Sequence, residues 1–257
     1  MDAPVIVARD GAIGTVTLNR PAKRNALDTD TIDGLRAAFG EMEREDAIRV
    51  VVLTGAGRDF CAGADLAQLR RIADGADALD NVRDAEALGG LLIRMRNLSK
   101  PVIAAVRGNA IAGGAGLAGA CDIVLAADDA VFGYPEVHLG FVPAMVMALL
   151  RRAVGEKVAF ELVARGDRIT AAEAQRVGLV TRVLDTGSFD DDVARYAGEL
   201  ARRSPSALAL TKRLLYGMDG MSFEEAIARG AEVNALARST DDCREGVRRF
   251  LEKQRDT

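Results

Sequence analysis

RDFCAGADL, residues 58–66, follows directly on RVVVLTGAG, residues 49–57. A β-branched run entering a glycine turn reads as a strand that stops abruptly. What comes next is unusual for a core: Cys61, Ala62, Gly63 and Ala64 offer almost no bulk. Small side chains let a backbone approach a partner closely, and Gly63 can take φ angles that other residues avoid. A second stretch has the same character. GNAIAGGAGLA, residues 108–118, follows the apolar run PVIAAV at 101–106. Two strand-to-turn units poor in side chains, each leading toward a helix, set the frame for the chain.

Around them the sequence alternates strand and helix signals. VIVARD and IGTVTLN, separated by the DGAIG turn, read as a hairpin. TIDGLRAAFGEMERE has helical spacing behind Asp28 and Thr29, both candidate caps. NVRDAEALGGLLIRMRNLS reads as a helix stopped by Pro101, and DIVLAA and AVFGY as strands. This mixed order with crossover helices predicts an α/β fold. VTRVL at 180–184 is the final strand signal; helix starts then dominate. Thr170 with Glu173 and Ser222 with Glu225 have capping-box spacing, and Ser204-Pro205 places a cap before a first-turn proline. The expected organisation is a core over residues 1–190 and a helical region over 191–257.

The 257 residues are 49% hydrophobic and 28% charged, with a net charge of −4, a balance suited to a globular core and not to a nucleic-acid or anionic-membrane surface. Apolar stretches fall short of the ~20 residues that span a bilayer. No basic segment precedes an apolar one at the N-terminus, as a signal peptide would require. Cys61, Cys121 and Cys243 are widely separated, which predicts free thiols and a cytoplasmic location. Metal-ligand spacing is lacking. A dinucleotide site fails on its own pattern: Gly55 and Gly57 are followed by Phe60 where the third glycine belongs. A Tyr-x-x-x-Lys pair fails as well, because His138, Leu200 and Gly220 stand four residues after the three tyrosines.

Chemistry enters with a third stretch, VFGYPEVHLGFVP at 131–143. Small-residue turns that start helices expose unpaired N–H groups and the positive end of a helix dipole. Two such turns facing one another form a site for a developing oxyanion. Glu136, held between Pro135 and apolar residues, has its charged form disfavoured and so suits proton transfer near neutrality. Taken singly, each feature has a plainer reading: a close helix–strand contact, a loop acid, ordinary surface lysines and arginines. His138 has no nucleophile beside it, and Cys61 has no basic activator, so both read as structural.

Together these segments resemble the crotonase, or enoyl-CoA hydratase/isomerase, superfamily. The likeness rests on VTLNRPAKRNAL at 16–27, the AGAD turn, KPVIAAVRGNAIAGGAGLA at 100–118, CDIVLAADDAVFGYPEV at 121–137 and REGVRRFLEK near the end. It implies a spiral of repeated ββα units with C-terminal helices that build a homotrimer or a dimer of trimers. It also implies an acyl-CoA thioester substrate, with coenzyme A arriving as part of that substrate and no separate cofactor or metal. The thioester oxygen would sit between the backbone N–H groups of Ala64 and Gly113, with Glu136 moving the proton. Ala62, Gly63, Asp65, Leu66 and Gly114 would line the acyl-CoA site. Lys23, Arg24 and Ala26 match the segment that meets the nucleotide end of CoA, and Phe250 and Lys253 match positions that cover CoA, often from a neighbouring subunit.

One position departs from the pattern. Members that hydrate a double bond generally flank the water with two glutamates, and the second would stand three residues after Gly113, where this chain has Gly116. The resemblance therefore implies hydration of 2-enoyl-CoA, Δ3,Δ2-enoyl-CoA isomerisation by one glutamate, another enolate reaction, or a non-catalytic acyl-CoA binder. Hydration is the first expectation.

Overall fold

The computed structural model describes residues 3–75 and 77–255. The hairpin forms as read: β1 (Val5–Asp10) and β2 (Ile13–Leu18) pair antiparallel, Asp10 opposite Ile13. Helix α1 (Thr29–Arg44) starts on Asp28, whose side chain accepts the Thr31 N–H, and β3 (Val50–Gly55) follows. Two helices, α2 (Leu66–Ala73) and α3 (Ala78–Asn97), lead to β4 (Val102–Val106). Capped by Asp77, α3 starts three residues before the NVRD segment that signalled it. Then come β5 (Asn109–Ile111), α4 (Gly113–Ala120), β6 (Ile123–Ala127) and β7 (Val131–Gly133).

The next part of the chain is α5 (Ala144–Val154), α6 (Glu156–Arg165), β8 (Arg168–Thr170), α7 (Ala171–Arg176) and β9 (Arg182–Leu184). The helical remainder is α8 (Phe189–Ala201), α9 (Pro205–Gly217), α10 (Phe223–Arg238) and α11 (Asp241–Arg255). The three caps anticipated further along the chain are also present. Thr170 and Ser222 form capping boxes, and Ser204 accepts the Ala207 N–H. Among the described residues no strand follows β9.

One sheet has the order β1-β2-β3-β4-β6-β9, parallel from β2 onward, and β5-β7-β8 form a second. Strand alternation divides the core. Val51, Leu53, Val102 and Ala104 face a large cluster with Leu35, Phe39 and Met95 from α1 and α3. Val50, Val52, Ile103 and Leu125 face the other way, onto Phe189, Val193 and Ala197 of α8. Parallel strands covered on both faces explain the nearly continuous apolar runs at 50–53 and 102–106.

Asp122 ties the C-terminal helices to this sheet. One carboxylate oxygen accepts the Val102 N–H at 2.7 Å and Lys212 Nζ at 2.7 Å, and the other accepts the Tyr216 hydroxyl at 2.6 Å. Arg96 stacks 3.4 Å over the Tyr216 ring. Lys212 is buried and also donates to the Met95 and Lys100 carbonyls. Removing one partner of such a buried pair leaves the other charge uncompensated. Asp122→Ala is expected to lower unfolding stability by about 3 kcal/mol or more, measured by denaturant titration.

Candidate active site

Two turns meet with almost no side chain between them. Gly63 has φ +92°, and a Cβ built there would lie 3.0 Å from the Ala112 Cβ and 3.1 Å from the Ile111 carbonyl. On the other side, a Cβ on Gly114 would drive into the Cys61 carbonyl oxygen. These contacts answer for the small residues at 61–64: they admit the second turn, which runs from β5 into α4. A parallel bridge between Cys61 and Ala110 stitches the pair together, and a second, between Leu27 and Ala64, ties the first turn to the segment before α1.

The register of those bridges decides which groups stay open. Leu27 donates to the Gly63 carbonyl at 2.7 Å and accepts the Asp65 N–H at 2.8 Å. Ala64 lies between the two bonded groups, so its own N–H points away from that ladder. Gly113 opens α4, where a first-turn N–H has no intrahelical acceptor. It follows Ala112 at φ +53° and ψ −120°, an alanine in a conformation costing on the order of 1–3 kcal/mol. Ala64 and Gly113 both line one cavity of about 460 Å³.

Glu136 enters the same cavity from a 3-10 turn, Pro135–Leu139, which follows β7. Its Oε2 is buried with no hydrogen-bond partner. Desolvation holds its pKa above the ordinary glutamate value, opposed by a bond from its own backbone N–H. The arrangement joins two outward N–H groups to one carboxyl of raised proton affinity in a mostly apolar chamber, walled by side chains such as Ile32, Leu88, Phe141 and Met145. Two donors beside a proton-transfer group suit an anionic oxygen and proton movement at a nearby carbon.

The departure at Gly116 has a steric counterpart. A Cβ at this position would stand 2.5 Å from Val146 Cγ2, and Val146 is a buried residue of the cavity wall. The space beside Gly116 is filled by α5.

Other anticipated residues fall into distinct places. Ala62 lines the cavity, while Gly63 and Gly114 support it from behind. Asp65 is buried outside it: it caps α2 through the Ala67 N–H and binds Arg20 at 2.8 Å and Lys23 at 3.4 Å. The Ala67 bond first, then Arg20 and Lys23, hold its carboxyl below the ordinary aspartate value against desolvation. Arg20 also donates to the Ala26 carbonyl, so Lys23, Arg24 and buried Ala26 form a tight loop pinned beside the first turn. Leu66 is 70% exposed and lies outside the cavity lining. Phe250 and Lys253 are exposed on α11, which packs on α9 and α10 and not at this site.

His138 is exposed, with Nε2 close to Gly166, and is not among the lining residues. Cys61 is fully buried, and burial pushes its thiol up to about 12. The wall contributed by α3, including Asn81, Asp84 and Leu88, was not anticipated. Nothing in its polar-rich sequence marks one face of that helix as facing a cavity.

Similarity to known proteins extends over nearly the whole chain. Residues 8–257 match the enoyl-CoA hydratase/isomerase family model. A Thermus thermophilus protein provisionally named enoyl-CoA hydratase is 42% identical, over 97% of this chain and 98% of its own length. The 2,3-dehydroadipyl-CoA hydratase of Escherichia coli is 36% identical over 97% of this chain and 96% of its own length. A crystal structure of a Mycobacterium smegmatis enoyl-CoA hydratase superimposes with a TM-score of 0.93 at 31% identity, covering 98% of this chain and 97% of that one. The fold and the paired turns define a crotonase-superfamily protein. The chain belongs to the enoyl-CoA hydratase/isomerase family.

Two measurements probe this geometry. Gly116→Ala is expected to lower stability by about 1–3 kcal/mol through overpacking. Adding Val146→Ala should cost less than the sum of the two single changes, a coupling read in thermal or denaturant unfolding. The second uses the raised pKa of Glu136, which favours protonation in the folded state. Wild type should therefore lose stability relative to Glu136→Gln as pH rises from the unfolded glutamate value through the higher folded one.

Proposed function

We propose that this protein hydrates 2-enoyl-CoA thioesters through an oxyanion-stabilised enolate. The carrying observation is the conjunction, in one cavity, of the Ala64 and Gly113 N–H groups with the desolvated carboxyl of Glu136. Full-length similarity to hydratases supports the same reading. The thioester carbonyl oxygen takes hydrogen bonds from Ala64 and Gly113. Water oxygen bonds to C3, the C2=C3 electron pair moves toward that carbonyl as the enolate, and Glu136 takes a water proton and delivers it to C2. The net change is addition of one water. Each oxyanion donor is worth roughly 3 kcal/mol in the transition state.

A second reading is favoured by Gly116 and the packing of Val146 against it: one carboxylate suffices to carry a proton from C2 to C4 in Δ3,Δ2-isomerisation. Coenzyme A belongs to the substrate in both readings, and no separate cofactor is assigned. Lys23, Arg24 and Ala26 contact its nucleotide end, and Asp65 positions that loop. No described helix is long and apolar enough to cross a membrane, and the buried free thiols of Cys61 and Cys121 accord with a cytoplasmic setting.

Residues 191–257 form the trimerisation region in this reading. Phe223, Ile227 and Leu236 on α10 and Val247, Phe250 and Leu251 on α11 are exposed in the single chain, an apolar surface suited to a homotrimer or dimer of trimers. Light scattering should give three or six times the chain mass.

Catalysis is tested with crotonyl-CoA and a 3-enoyl-CoA in deuterated water, products being followed by mass spectrometry. Gain of one water on crotonyl-CoA is expected, and Glu136→Gln should fold while losing about 10²–10⁴-fold in turnover. Conversion of the 3-enoyl substrate without water addition to either would establish the isomerase instead. Binding without turnover would identify a non-catalytic homologue.

A further inference from the structure

Hydration needs a water held over C3, and the position at which the family supplies a second glutamate is sealed here by Val146. The cavity nevertheless has another carboxylate. Among its described lining residues, the only Asp or Glu besides Glu136 is Asp84 on α3. We propose that Asp84 orients the attacking water, serving from a different element the role left open at Gly116.

The placement follows from helical register. Asn81, Asp84, Ala85 and Leu88 share one face of α3 at spacings of three and four, and all four line the cavity. Leu88 fixes how that face meets the oxyanion turn: its Cδ2 is 3.8 Å from where a Cβ on Gly113 would stand. Asp84 stands four residues before Leu88, about 6 Å back along the axis. Glu136 belongs to the wall formed by the 3-10 turn and α5. The two walls close together where Met145 Cγ comes within 3.5 Å of a Cβ position on Gly89.

The environment of Asp84 suits a water-holding acceptor. Its side chain is 44% exposed, so solvent water reaches it at the cavity edge. Arg71 of α2 lies 3.8 Å away, near enough to anchor the charge yet beyond close hydrogen-bond range. In the hydration step, Asp84 accepts a hydrogen bond from one O–H of the water, and Glu136 removes the proton from the other. Asp84 neither gains nor loses a proton, and the Glu136 proton passes to C2, so the balance of the addition is unchanged.

This assignment rests on the hydration reading above, and the experiment separates the two. Wild type, Asp84→Asn, Asp84→Glu and Asp84→Ala are assayed with crotonyl-CoA for hydration and with a 3-enoyl-CoA for isomerisation, alongside thermal unfolding. Expected for Asp84→Asn is a fall in hydration kcat of about 10-fold or more with KM nearly unchanged, an unchanged melting temperature, and isomerisation within about twofold of wild type. Asp84→Glu should restore part of the hydration rate. Hydration by Asp84→Asn at the wild-type rate would overturn the assignment and leave the hydration reading standing. A parallel loss of both reactions, or an effect confined to KM, would reduce Asp84 to a structural or acyl-binding role. Absence of hydration by wild type would overturn both.

Discussion

The close approach of two backbones carries the site. Gly63 abuts Ala112 and Ile111, Gly114 abuts the Cys61 carbonyl, and neither contact leaves room for a methyl group. Interiors are packed so densely that a displacement at one such contact passes directly to its neighbour. Side-chain donors on flexible stems would lose orientational freedom whenever they closed on a ligand. Backbone N–H groups held by strand bridges and a helix start have already lost it during folding. The local cost is visible at Ala112, an alanine at φ +53°, and the surrounding sheet and α4 supply the cohesion that holds it there.

The same economy of space explains the acid. Glu136 is delivered by a short 3-10 turn, into surroundings that leave one oxygen unpartnered. Desolvation is what lifts its proton affinity, in a cavity that α5 helps to wall through Met145 and Val146. That helix also packs Val146 against Gly116. The glycine is thus more than a deleted glutamate: it is a position at which a side chain has no room unless the Val146 side chain gives way. Any second polar group in the chemistry has to arrive from elsewhere, and α3 is the element that brings one.

The fold was legible because its signals were redundant. The β1–β2 hairpin, the cap at Asp28, the apolar strands at 50–53 and 102–106, and the capping boxes at Thr170 and Ser222 each follow from local chemistry that tertiary contacts reinforce. The paired turns and Glu136 were legible through composition and family resemblance together. Less visible was anything that depends on which way a helix faces. The α3 sequence mixes charged and apolar residues around its axis, so the Asn81–Leu88 stripe emerged only once α3 was docked against α4 and α5. Asp65 illustrates the converse. Its neighbourhood in sequence suggested the site, whereas Arg20, Lys23 and the α2 N-terminus draw its carboxylate to the other side of the turn.

The measurement that reaches the centre of this account is the carbonyl stretch of a bound thioester. Crotonyl-CoA labelled with ¹³C at the thioester carbon is bound to Glu136→Gln, and isotope-edited infrared difference spectra are recorded against the free ester. If Ala64 and Gly113 both donate to the carbonyl oxygen, its stretch moves to lower frequency on binding, and Gly63→Ala, which pries the turns apart, diminishes that shift. An unshifted carbonyl in a saturated complex would contradict the paired-turn oxyanion site, whatever reaction the enzyme is found to catalyse.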